Sequence, residues 1–121
     1  MKDNRSYEAT EYFRLFSEKD LEGLDKMFDE KATLRDWSIE AEGKINVFIA
    51  MKQIFDSVER IVIKVINMWQ DENKPNTLVA EIDIISGNDE KAEGITVVDI
   101  IEFNNEGKIR AIRAFKGQYP S

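Results

Sequence analysis

The strongest constraint on the fold is a change of hydrophobic rhythm near residue 60. Before it, apolar residues recur at helical spacing; after it, they come in β-branched runs separated by turn formers. Residues 7–16 place Ala9, Tyr12, Phe13 and Phe16 on one helical face. Asp20 is a suitable N-cap for a second stripe, Leu21, Leu24, Met27 and Phe28, which Asp29, Glu30 and Lys31 break. Residues 32–37 form a short strand candidate, and Glu42-Gly43 marks a turn. Residues 44–58 predict a third helix, with Ile45, Phe48, Met51, Ile54 and Phe55 in helical register. Residues 61–69, 77–86, 94–103 and 109–115 then predict strands. The turns between them fall at residues 71–76, 87–90 and 104–107, where Gly107 is free to take a positive φ. No repeat or linker interrupts the pattern. Three helices followed by a strand meander predict one α+β domain over residues 1–121. Its curved, mostly antiparallel sheet should wrap the helices and enclose a pocket.

Composition narrows the chemistry. The 121 residues include no histidine and no cysteine. Ser-His and Cys-His nucleophiles are excluded, as are thiolate or imidazole metal ligands and disulfides. The usual base for neutral pH is missing. Any catalysis falls to carboxylates, tyrosine, lysine, arginine or a borrowed cofactor. The net charge of -7 and the absence of a basic cluster argue against nucleic acid. No apolar run approaches the roughly 20 residues of a membrane span. The amino-terminal residues lack the apolar core of a secretory signal, so a cytoplasmic protein is expected.

Several acids sit among apolar neighbours. In residues 94–103, one strand face carries Val97, Asp99, Ile101 and Phe103, the other Thr96, Val98, Ile100 and Glu102. Both faces are largely apolar, as expected if one covers the core and the other meets a partner. Asp99 should be partly buried, with its pKa raised unless a cation pairs with it. It is either a hydrogen-bonded structural acid or a functional group in a cavity. Asp36 shares a face with Ala32 and Leu34, yet its place at a strand end also suits a turn. Tyr12 lies on the apolar stripe of the first helix, where a core tyrosine commonly finds one partner for its hydroxyl. Glu81 and Asp83 share a face with Val79 and Ile85 and read best as a solvated or ion-paired patch. Trp37 and Trp69 are expected as core or pocket walls.

Residues 7–115 resemble the NTF2-like superfamily, the cone-shaped α+β fold that includes SnoaL-like proteins and ketosteroid isomerases. The likeness rests on three stretches. One runs from Asp20-Leu21-Glu22-Gly23-Leu24 through Leu34-Arg35-Asp36. The second is Glu42-Gly43-Lys44-Ile45 leading into the third helix. The last is Val97-Val98-Asp99-Ile100-Ile101-Glu102-Phe103 through Lys108-Ile109. The ketosteroid isomerase family uses a tyrosine on the first helix, an aspartate at the end of the first strand and an aspartate in a late strand. The matching residues are Tyr12, Asp36 and Asp99.

The resemblance implies that Asp36 is the base that moves a proton in an allylic isomerisation. It likewise implies that Tyr12 and a neutral Asp99 donate hydrogen bonds to the dienolate oxygen, a division of labour known from ketosteroid isomerase itself. No cofactor and no metal is implied. The expected partners are a small apolar carbonyl compound and a second copy of the chain, joined as a homodimer through the sheet. Pocket walls are expected from Phe16, Phe28, Trp37, Met51, Phe55, Trp69, Ile112 and Lys116.

The chain departs from that family. Its supporting tyrosines correspond to Phe28 and Met51, and an aromatic wall corresponds to Lys116, which could pair with Asp99 and keep it ionised. Trp37 follows Asp36 where many relatives have proline. The limonene epoxide hydrolase branch uses an Asp-Arg-Asp set, and no arginine lies between the strand acids here. Polyketide cyclisation, dehydration and a non-catalytic ligand-binding or dimerisation module are the other outcomes compatible with the resemblance.

Overall fold

The computed structural model describes residues 5–88 and 91–118, with backbone alone at 91 and 92. Helix α1 (Ser6–Ser17) buries Ala9, Tyr12 and Phe13 of the predicted stripe together with Leu15, which lay outside it, while Phe16 is only partly buried. Helix α2 (Leu21–Asp25) is one turn long, and Asp20 Oδ1 accepts the N–H of Gly23 at 2.9 Å as its cap. The second stripe does not continue as helix. Phe28 instead opens strand β1 (Phe28–Arg35), because pairing with a distant strand outweighs local helical spacing. Ile109 N–H donates to Met27 O at 2.7 Å and brings Phe28 opposite Ile109. The polar residues 29–31 fall where the register shifts between Phe28 and Thr33. There Asp29 accepts the Lys31 N–H and the Asn104 side-chain amide.

A three-residue strand that the sequence pattern did not announce, β2 (Glu40–Glu42), pairs antiparallel with β1. Gly43 then turns with φ +86°, a conformation that costs glycine nothing, and starts helix α3 (Lys44–Ser57). Strands β3 (Arg60–Gln70), β4 (Thr77–Asn88), β5 (Lys91–Phe103) and β6 (Ile109–Lys116) complete the sheet. Strand β4 continues through Gly87 and Asn88, where a turn was expected; Asp89 and Glu90 of that turn lie outside the described residues.

The six strands run β2-β1-β6-β5-β4-β3. All pairs are antiparallel except β1 with β6. The result is a curved, unclosed α+β sheet of the NTF2-like kind. Its three helices are not consecutive, since β1 and β2 intervene before α3. On the inner face Leu78, Ile82, Ile101, Ile109 and Ile112 are fully buried, with Leu24 and Met51 from the helices. Each such side chain contributes about 1.5–3 kcal/mol by leaving water. The outer face carries the Trp69, Val79, Ile100, Arg113 row beside the Glu81, Val98, Phe115 row.

One contact fixes the layer of helices. Lys19 adopts φ 57°, unusual for a residue with a side chain, and its ammonium donates to the carbonyls of Phe55 (2.8 Å) and Val58. These carbonyls close the C-terminus of α3, where a cation is favoured by the helix dipole. Among the described residues no helix is long and apolar enough to cross a membrane.

Candidate functional site

Between α1, the end of α3 and the inner face of the sheet lies a cavity of about 320 Å³. Tyr12, Asp36 and Asp99 all line it. Tyr12 arrives from the buried stripe of α1. Asp99 arrives from the inner face of β5, as the strand alternation predicts. Asp36 follows the last residue of β1, one step beyond the Arg35↔Arg113 pair. That register sets it level with Ala114, and Ala114 pairs with Asp99. The two acids therefore flank one small residue, on strands two positions apart.

The electrostatics differ at each group. Burial, and next the charge of Asp36, pushes the Asp99 carboxyl up to about 7. The lining includes no lysine or arginine among the described residues, so nothing there counters the shift. Burial, then the Asp99 charge, holds the Tyr12 phenol well above its ordinary range. Tyr12 thus keeps its proton at neutral pH, and Asp99 holds its proton far above the ordinary carboxylate range, up to about pH 7. Asp36 is arranged as an acceptor. Its Oδ1 takes the backbone N–H groups of Ser38 (2.8 Å) and Ile39 (2.6 Å), while its own N–H donates to Ile39 O at 2.9 Å. The turn reading and the pocket reading of Asp36 are both met by this geometry: Oδ1 holds the turn, and the residue still faces the cavity.

Of the expected walls, Phe16, Trp37 and Ile112 line the cavity. Trp37 is 49% exposed and stands at its rim. The other five do not line it. Phe28 and Met51 are packed in the core, Phe28 edge-on to Phe48 at 5.3 Å between ring centres. Phe55 is buried against Phe16, ring centres 4.8 Å apart, and stands behind it. Trp69 projects from the outer face, because the irregularity between Val65 and Asn67 reverses the alternation of β3. Lys116 pairs with Val97 near the end of β6 but is exposed, and it has no part in the shift of Asp99.

The rest of the wall was readable from period two. Once Glu81, Asp83 and Ile85 face outward, Ile82, Ile84 and Ser86 must face inward, and all three line the cavity. Glu81 and Asp83 are engaged on the outer face by the Asn67 amide (2.9 Å) and the Thr96 hydroxyl (2.7 Å). Among the described residues no group of three acids could hold a metal ion.

Comparison with solved structures returns the same architecture. SalBIII, an epoxide hydrolase/cyclase-like enzyme of pyran ring formation in polyether salinomycin, is 24% identical with a TM-score of 0.77, over 93% of this chain and 90% of that one. An LEH-like epoxide hydrolase of M. tuberculosis is 12% identical with a TM-score of 0.75, over 93% and 83%. A protein of Shewanella denitrificans OS-217 proposed to be a SnoaL-like polyketide cyclase is 13% identical with a TM-score of 0.79, over 93% and 90%. At these identities the likeness concerns the fold. No curated protein matches the sequence. The SnoaL-like domain family matches residues 9–112, nearly the whole described chain, and the protein belongs to that family.

Proposed function

We propose that the protein binds a small apolar carbonyl compound and moves a proton on it, without a cofactor. One observation supports this reading: an apolar cavity is lined by the Asp36 carboxyl, which accepts two backbone N–H groups, and by two groups whose pKa burial raises, Tyr12 and Asp99. The Asp36 carboxylate takes a proton from the carbon beside the carbonyl. The C–H electron pair moves into the carbon framework and charge collects on oxygen. Tyr12 O–H and the Asp99 carboxyl donate to that oxygen, where preorganised donors lower the barrier most. Protonated Asp36 then returns the proton at the far end of the conjugated system. Atoms balance, no electron is gained or lost, and Asp36 ends as it began. The isomerase assignment and the three roles rest on the resemblance and on this geometry together.

A solvent-exchange experiment tests the reading. In deuterium oxide, incorporation of deuterium beside the carbonyl of a β,γ-unsaturated ketone should depend on the protein and vanish in Asp36→Asn. Exchange that persists in Asp36→Asn rules out the assigned base.

A second role is supported by the outer face of the sheet. Trp69 and Phe115 are 53% and 51% exposed there, a short distance from Val79, Val98 and Ile100. Large aromatic groups on an open sheet face favour association. We read this face as the contact of a homodimer, which would serve a catalytic and a purely ligand-binding protein equally.

A further inference from the structure

The lining residues ascend the β4–β5 ladder in order. Asp99 stands at the level of Ala80, Val97 opposite Ile82 and Ile95 opposite Ile84, and Ser86 closes the series. From the level of Asp99 to Ser86 is six residues of β4, a path of about 20 Å. A ligand that reaches both ends of the cavity must span most of that length.

The two ends are polar and the middle is not. At one end are Tyr12, Asp36 and Asp99; between them and the other end the rungs are valine and isoleucine. Ser86, paired with Ile61 of β3, lies at the far end, and the exposed Ser57, four residues before Ile61 in the chain, also lines the cavity. The Ser57 hydroxyl donates to Ile54 O at 2.7 Å and keeps its lone pairs to accept. The Ser86 hydroxyl is partly buried and has no described hydrogen bond, so it is open to a ligand as donor or acceptor. Two acids with no cation beside them disfavour an anionic ligand.

Resting on the proposed proton transfer, we infer that Ser86 and Ser57 form a second polar subsite. It selects a neutral, elongated ligand with its reactive carbonyl at the acid end and a hydroxyl-type group at the other. Ser86 is a specificity-determining residue in this arrangement and takes no part in the proton transfer.

The test uses a twelve-carbon methyl ketone, its ω-hydroxy counterpart and the twelve-carbon fatty acid. Binding is read from Trp37 fluorescence in Trp69→Phe and independently by calorimetry. The ω-hydroxy ketone should bind about 2- to 10-fold tighter than the plain ketone, the worth of one hydrogen bond. Ser86→Ala should erase that advantage and leave the plain ketone unchanged. The fatty acid should bind more weakly than either ketone. Equal affinities of the two ketones, an advantage that survives Ser86→Ala, preference for the fatty acid, or no binding of either ketone each overturns the inference. Deuterium exchange on the same ketones separates the two proposals. Binding with the Ser86 signature but no Asp36-dependent exchange removes the proton transfer and keeps the subsite. Exchange without the signature does the reverse.

Discussion

Asp36 and Asp99 flank Ala114 on the inner face of the sheet, and the charge of one raises the pKa of the other. Burial is the larger cause of that rise and the Asp36 charge the second. Removing the Asp36 charge should therefore lower the Asp99 pKa from about 7. Asp36→Asn keeps an oxygen to accept the Ser38 and Ile39 N–H groups, so the turn should survive and stability should change by less than about 0.5 kcal/mol. Turnover should fall by about 10²–10⁴, the worth of a positioned base. Carboxyl-carbon NMR titration and proton-exchange rates check the two effects. An unmoved Asp99 titration would show that the acids are not coupled.

The raised pKa of Asp99 has a consequence for stability. The folded protein binds this proton up to about pH 7, whereas the unfolded chain releases it near the ordinary value of 3.8. Where the folded state holds more protons, stability falls as pH rises. The contribution is complete below about pH 4 and is lost progressively toward pH 7, a span on the order of 4 kcal/mol. Asp99→Asn should flatten this dependence and unfold at higher denaturant than wild type at pH 8. Urea unfolding at pH 5 and pH 8 measures it.

Loss of the Tyr12 hydroxyl should be felt in chemistry and little in folding. The ring is held by Phe13, Phe16 and Phe28, with centres 5.3–5.9 Å away, and Tyr12→Phe keeps those ring contacts. Removing one oxyanion donor costs about 10²-fold in turnover. An equal loss of kcat and kcat/KM is expected, with the melting temperature nearly unchanged.

Lys19 should matter for stability without touching the acids. Lys19→Met removes the ammonium from the Phe55 and Val58 carbonyls and leaves the strained φ of 57° in place. The expected loss is about 1–2 kcal/mol. Lys19→Gly relieves the backbone strain and should be the milder of the two. Chemical denaturation ranks them.

The exposed outer face should associate through its aromatic residues. Wild type is expected to sediment as a dimer at micromolar concentration, and Trp69→Lys with Phe115→Glu as a monomer. A wild-type monomer would remove the dimer role and leave the pocket assignments intact.

Much of this could be seen in the chain itself. Local rhythm determined the helical stripe bearing Tyr12, the Asp20 cap, the third helix and the long strands. Period-two alternation alone put Asp99 on the same face as Val97 and Ile101, and the absence of histidine and cysteine confined any chemistry to carboxylates and tyrosine. These features depend on neighbours a few residues apart. What the tertiary structure decided depends on pairings across the chain. Phe28 left its helical stripe because Ile109 pairs with it 81 positions later in sequence. Trp69 turned outward because of an irregularity in β3, and Lys116 stayed in solvent at the end of β6. The meeting of Tyr12, Asp36 and Asp99 in one cavity, with no lysine or arginine among the described lining residues, is likewise a property of the β1–β6–β5 register. No local pattern encodes such a register, because it is set by which strands satisfy one another's hydrogen bonds and cover one another's apolar faces.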